Sequence, residues 1–211
     1  MKAIPWNALV DAINATDIIG WFKHEEAVLL YDHAAKAPGP VVEIGTYMGM
    51  GSALLAAPGK QPVTTIDPHD PALMNATQVR IMAGRDSAEI AATAWEAIGV
   101  AKQITQVKKL SQDAAGDVPA EIGLLFVDGC HYREAVESDL RLYAGRVVEG
   151  GFLIMHDWGI RGDEPGRRWG VQEATETYMA EHPGEWTGPK IVAYAAVFRR
   201  NATEVADGGD A

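Results

Sequence analysis

The chain has 211 residues, 47% of them hydrophobic and 22% charged, a composition that fits one globular domain and excludes a disordered or fibrous polymer. Its 18 basic and 29 acidic side chains give a net charge of −11 and a pI near 4.9, the wrong sign for a partner that is a phosphate backbone. A single cysteine, Cys130, excludes an internal disulfide and a cysteine-based zinc cluster, and fits a reducing compartment.

Residues 1–37 read as an N-terminal helical extension. Asn7, Asp11 and Asn14 interrupt its apolar character, so it lacks the ~7–15 unbroken apolar residues of a secretory signal. No later run approaches the ~20 residues of a membrane span. The expectation is a cytoplasmic protein with neither nucleic acid nor membrane as partner. Within the extension, His24 to Ala37 sets Ala27, Leu30, Tyr31 and Ala34 at helical spacing, and Pro38-Gly39-Pro40 stops the helix.

Residues 38–200 form the main domain. Val41–Ile44 is a short apolar strand running into glycines, and Met50 to Ala57 is a helix ended by Pro58-Gly59. Val63–Ile66 is a second strand, closed by Asp67-Pro68. Pro68 to Arg85, with Met74 and Met82, is long for a connection and reads as a lid, a subunit surface or a core-covering insert. Asp86-Ser87-Ala88-Glu89 has the pattern of an N-terminal cap for a helix running to Gly99. Gln103 to Lys108 and Ile122 to Val127 are strands, and Tyr132 to Ala144 is a helix with Ala135, Val136, Leu140 and Tyr143 on one face. A buried strand at Phe152–Met155, a helix from Val171 to Ala180 and a final strand from Ile191 to Phe198 follow. Residues 201–211 have little to bury and are expected to fray.

Strands alternating with helices predict an α/β domain built on a doubly wound, mostly parallel sheet. In such sheets ligands bind beyond the carboxyl ends of the strands, near the point where strand order reverses. The residues there are Glu43 to Gly49, Asp67, Ser111, Asp128 to His131 and His156 to Trp158. The spacing from Gly45 to Gly51 is G-x-x-x-G-x-G, which matches neither the dinucleotide fingerprint nor the phosphate loop. It is a ligand-cradling turn or a plain strand-to-helix turn. Asp67 is placed to take both hydroxyls of a ribose, or to form a turn before proline. Asp128, His156 and Asp157, at the ends of two buried strands, form an O/O/N set suited to magnesium or manganese. His131, three residues after Asp128, lies beside that set. Either histidine read alone is a surface or capping residue. Cys130 reads as a small buried spacer.

Taken together, Val41-Val42-Glu43-Ile44-Gly45-Thr46-Tyr47-Met48-Gly49 and Ile66-Asp67 resemble the first two motifs of class I S-adenosylmethionine-dependent methyltransferases. More narrowly, Phe126-Val127-Asp128-Gly129-Cys130-His131, followed by Glu149 to Trp158, resembles the macrocin O-methyltransferase group of metal-dependent sugar methyltransferases. The resemblance covers roughly 40–180 and implies a seven-stranded Rossmann-like methyltransferase fold. It implies that Glu43, Gly45, Thr46 and Gly49, with Tyr47 and Ser52 of the same turn, hold the amino-acid part of S-adenosylmethionine. Asp67 would bind the ribose, and Ser111 and Gln112 would lie by the adenine. Asp128, His156 and Asp157 would hold the divalent metal, magnesium or manganese, and His131 would act as general base with Asp128 in the catalytic set. The chain departs from the group at His156, where metal-dependent relatives often carry Asp or Glu.

The implied activity is methylation of a hydroxyl on a small-molecule or oligosaccharide acceptor: a saccharide, such as a methylmannoside or polysaccharide precursor, or a glycosylated metabolite. The rivals are a catechol-type O-methyltransferase and a non-catalytic cofactor-binding module. Gly159 to Gly170, with Arg161, Arg167, Arg168 and Trp169, is placed to touch the acceptor, Trp169 stacking on a sugar ring; a solvated loop is the plainer reading. Trp6, Trp21 and Phe22 read as a cap on the cleft or as a homodimer interface.

Overall fold

The computed structural model describes residues 2–162 and 169–202. Seven strands form one sheet in the order β3-β2-β1-β4-β5-β7-β6. Strands β1 (Val41–Ile44), β2 (Val63–Ile66), β3 (Ile104–Val107), β4 (Ile122–Val127) and β5 (Val147–Met155) run parallel. Strands β6 (Trp186–Val192) and β7 (Ala195–Arg200) pair antiparallel, β7 also lying antiparallel to β5. The expected doubly wound sheet is present, and its order reverses between β1 and β4.

All residues of β1, β2 and β4 are buried, because helices cover both faces. One face carries α1 (Trp6–Asn14), α2 (His24–Lys36), α3 (Met50–Ala56) and α5 (Ser87–Ile98), and packs Leu30, Leu54, Trp95, Leu124 and Phe126 together. The other carries α6 (Arg133–Tyr143) and α7 (Val171–Glu181), and gathers Leu125, Val127, Leu140, Tyr143 and Tyr178. Alternate residues of β4 thus point into opposite cores, as the period of two requires.

Three expected elements come out differently. The final strand, expected as one piece from Ile191 to Phe198, is two strands joined by a turn in which Ala193 takes a left-handed φ of 50°. β5, expected from Phe152, begins at Val147 and crosses Gly150-Gly151; Gly150 has φ 74°. The long connection from Pro68 to Arg85 contains a short helix, α4 (Ala76–Met82), capped by the Asn75 side chain accepting from the Thr77 and Gln78 amides. Among the described residues, no helix is long and apolar enough to cross a membrane. The expected fray at 201–211 falls mostly on 203–211, outside the described residues, as do Arg167 and Arg168 of the 159–170 loop.

Candidate active site

Where β1 ends, the chain turns so tightly that only glycine serves. Gly45 has φ 95°, and a Cβ there would lie 2.2 Å from the Asp128 carbonyl oxygen; Gly49 has φ 86°, with a Cβ 2.6 Å from the Trp95 ring nitrogen. The two neighbouring strand ends, β1 and β4, are therefore in backbone contact at the reversal point. Tyr47 also has a left-handed φ, 45°. Asp67, at the end of β2, holds this turn in place. Its Oδ2 accepts from the backbone N–H of Thr46 (3.0 Å) and Tyr47 (2.8 Å), and its Oδ1 from that of His69 (2.7 Å). A carboxylate offers about four lone-pair sites, so one remains for a ligand hydroxyl.

The expected cofactor residues divide into two sets. Glu43 (1% exposed), Ser52 and Thr46 are buried beneath the turn. The Ser52 hydroxyl and the Thr65 hydroxyl (2.6 Å) both donate to Glu43 Oε2, and Thr46 and Thr65 share a hydrogen bond. These side chains brace the loop from below. Tyr47, Asp67, Ser111 and the exposed Gln112 keep accessible surface past the ends of β1, β2 and β3. Ser111 is fixed by the Tyr143 hydroxyl, which donates to its carbonyl.

Burial pushes the Glu43 carboxyl from 4.5 up to about 8; the Ser52 and Thr65 hydroxyls oppose this, and the Asp128 and Asp67 charges add to it. A pKa raised in the folded state means that the native protein holds this proton more tightly than the unfolded chain does. Its stabilising contribution is complete below about 4.5 and is lost as pH rises through about 8. Thermal unfolding followed across that window should show the wild type losing stability with rising pH, and Glu43→Gln losing roughly a few kcal/mol less. Equal pH slopes in the two proteins would show that Glu43 is ionised throughout.

At the ends of β4 and β5 stands the second half of the site. Asp128, His131 and Asp157 each offer one ligand atom, all within 4.8 Å of one another. His131 Nε2 lies 3.1 Å from Asp157 Oδ2 and 3.7 Å from Asp128 Oδ1, yet it is a buried polar atom without a hydrogen-bond partner. An O/O/N set with one orphaned nitrogen fits a hard divalent cation. Asp157 sits in a left-handed conformation, φ 54°, and burial raises its carboxyl while His131 acts to lower it. Burial acts to raise Asp128 as well, but His156 and His131 outweigh that and hold it at about 2, ionised at any working pH.

His156, expected as the third ligand, stands on the inner side of this cluster, its Nδ1 3.8 Å from Asp157 Oδ1. Its side chain is 4% exposed, with Nδ1 3.0 Å from Asp128 Oδ1 and Nε2 3.4 Å from Glu26 Oε2. Both nitrogens face carboxylates, and His131 lies beside the two aspartates from the other side, within reach of the same space. Glu26 was not foreseen. Helical spacing does carry the signal, since Glu26 stands on the stripe of Leu29 and Leu30, where a charge needs a buried partner.

Cys130, expected as a buried spacer, is exposed. Trp169 meets the His131 ring edge-on, centroids 4.3 Å apart, and the Gly170 amide donates to the His131 carbonyl at 2.9 Å. Trp6 packs edge-on against Tyr31 and His24, knitting α1 to α2, whereas Trp21 is 52% exposed and stacks on Tyr47 at 5.4 Å.

Residues 42–158 match the methyltransferase-domain family, and the chain belongs to it. Solved structures share the fold. Cofactor-bound Rv0187 from MTB is 19% identical with a TM-score of 0.67, over 93% of this chain and 89% of that one. The O-methyltransferase TomG from Streptomyces achromogenes, solved with SAM, is 17% identical with a TM-score of 0.64, over 95% and 92%. An O-methyltransferase from Bacillus cereus in complex with SAH is 12% identical with a TM-score of 0.65, over 94% and 92%.

Proposed function

We propose that the protein is an S-adenosylmethionine-dependent O-methyltransferase that uses magnesium or manganese to activate a hydroxyl of a saccharide or glycosylated metabolite. The observation that carries this reading is the Asp128, His131 and Asp157 cluster with its orphaned nitrogen, set beside the Asp67-clamped turn at the reversal of strand order. S-adenosylmethionine, when bound, supplies a methyl group on a sulfonium, open to in-line attack by an oxygen. A divalent ion, when bound, supplies a Lewis acid that lowers the pKa of a hydroxyl.

The protein's own residues supply the rest. Asp128 and Asp157 would hold the ion. His131 Nε2 takes the acceptor's proton, a role worth about 10²–10⁴-fold in rate. Asp67 fixes the turn and spends its remaining lone pair on the ribose, with Ser111 and Gln112 by the adenine. The alignment of the two substrates is the larger part of the work.

The saccharide assignment draws on the likeness of 126–131 and 149–158 to sugar methyltransferases and on Trp169, an aromatic ring beside His131 on which a sugar could stack. One feature favours the catechol-type reading: the half-exposed Trp21 stacked on Tyr47, a flat plate for a planar acceptor. A methyl-transfer screen of glycosides and catechols separates the two. Transfer to glycosides alone supports the proposal, transfer to catechols alone replaces it, and cofactor binding without transfer leaves a non-catalytic module.

Asp67→Ala is expected to weaken S-adenosylhomocysteine binding by about 10–100-fold, the value of one to two charge-assisted hydrogen bonds. Unchanged affinity in a calorimetric titration would place the ribose elsewhere.

A further inference from the structure

Glu26 has no part in the mechanism above, yet the fold sets it at a junction of distant segments. It lies in the N-terminal extension, on α2, and is 1% exposed. Its Oε2 accepts the Lys23 amide at 2.7 Å, and its Oε1 accepts the Tyr194 amide, in the turn between β6 and β7, also at 2.7 Å. The same Oε2 lies 3.4 Å from His156 Nε2, and across that ring Nδ1 lies 3.0 Å from Asp128 Oδ1. The flanks of the ring are apolar: Phe22 at 5.1 Å and Phe126 at 6.2 Å between centroids. The imidazole thus has polar neighbours along one axis and aromatic rings beside it, which fixes its orientation.

We propose that Glu26 is a positioning residue for the metal site: it orients His156, and His156 orients the Asp128 carboxylate for the ion. The inference rests on the metal-assisted reading given above. A buried carboxylate facing a buried imidazole carries a desolvation cost that its hydrogen-bond geometry must offset, so each partner holds the other in place. Partners one step behind a metal ligand characteristically govern affinity by about 10–100-fold. On this account the N-terminal extension is a working part of the site, and the turn between β6 and β7 is held to it through the same carboxylate.

The experiment is a double-mutant cycle read by manganese affinity. Free Mn²⁺ is followed by electron paramagnetic resonance in the presence of S-adenosylhomocysteine, for wild type, Glu26→Gln, His156→Gln and the double variant, each checked for folding by thermal melting. Glu26→Gln should bind Mn²⁺ about 10–100-fold more weakly, with S-adenosylhomocysteine affinity unchanged. In the His156→Gln background the same substitution should add nothing, since its effect travels through that ring. A folded Glu26→Gln protein with wild-type Mn²⁺ affinity, or a loss that is fully additive with His156→Gln, overturns the proposal. If Glu26→Gln does not fold, Glu26→Asp serves in its place: the charge stays but recedes from His156, and undiminished Mn²⁺ affinity again overturns it. A wild type that takes up no Mn²⁺ brings down the metal reading itself, and this inference with it.

Discussion

Methyl transfer is expected to stop in excess chelator and to return on adding magnesium or manganese. Two carboxylates stand within ligand distance of each other at the ends of β4 and β5, with Asp128 held at about 2 by its histidine neighbours. Without a cation between them they repel, and the acceptor hydroxyl lacks the Lewis acid that brings its pKa toward neutrality, a shift of several units in the best-known metal–water case, from 15.7 to about 7. Asp128→Ala should lose ion affinity and activity together while still binding S-adenosylhomocysteine, because the Asp67 clamp belongs to other strands. Full turnover in excess chelator would reduce Asp128 and Asp157 to orienting groups.

His131→Ala should lose turnover by about 10²–10⁴-fold, the range for a missing general base. The account separates this variant from Asp128→Ala by what survives. With His131 gone, Asp128 and Asp157 still present their oxygens, so Mn²⁺ and S-adenosylhomocysteine should both bind. The 3.1 Å approach of Nε2 to Asp157 makes the control necessary, since the same atom is placed to be a third ligand. Loss of Mn²⁺ affinity in His131→Ala would convert the base into a ligand; near-normal turnover would remove it from the chemistry altogether.

Much of this molecule is legible from its residues. β1, β2 and β4 fall on short runs closed by turn-forming Gly, Asp-Pro or Asp-Gly, and every residue-level bound of those strands matches the structure. The runs of β2 and β4 place Asp67 and Asp128 at carboxyl ends, and the apolar end of β5 places Asp157. The C-terminal hairpin was not legible because its turn uses Ala193 with a positive φ, where no Asn-Gly or Asp-Gly marks the reversal. The first half of β5 carries no apolar run to mark it, since Glu149, Gly150 and Gly151 interrupt it. The orientation of the two histidines has a different origin. Spacing fixes which residues reach a strand end, but not which way an imidazole turns, and His156 turns inward to a partner 130 positions away in sequence. Glu26 is visible as a misplaced charge on an apolar stripe, but its partner is not.

Crystals grown with S-adenosylhomocysteine and soaked in Mn²⁺ test the central claim most directly, through the anomalous scattering of the metal. The account predicts one strong peak coordinated by Asp128 and Asp157, with His131 at its edge and His156 still turned toward Glu26. A peak at another site, or none here while S-adenosylhomocysteine occupies the turn beside Asp67, would contradict it.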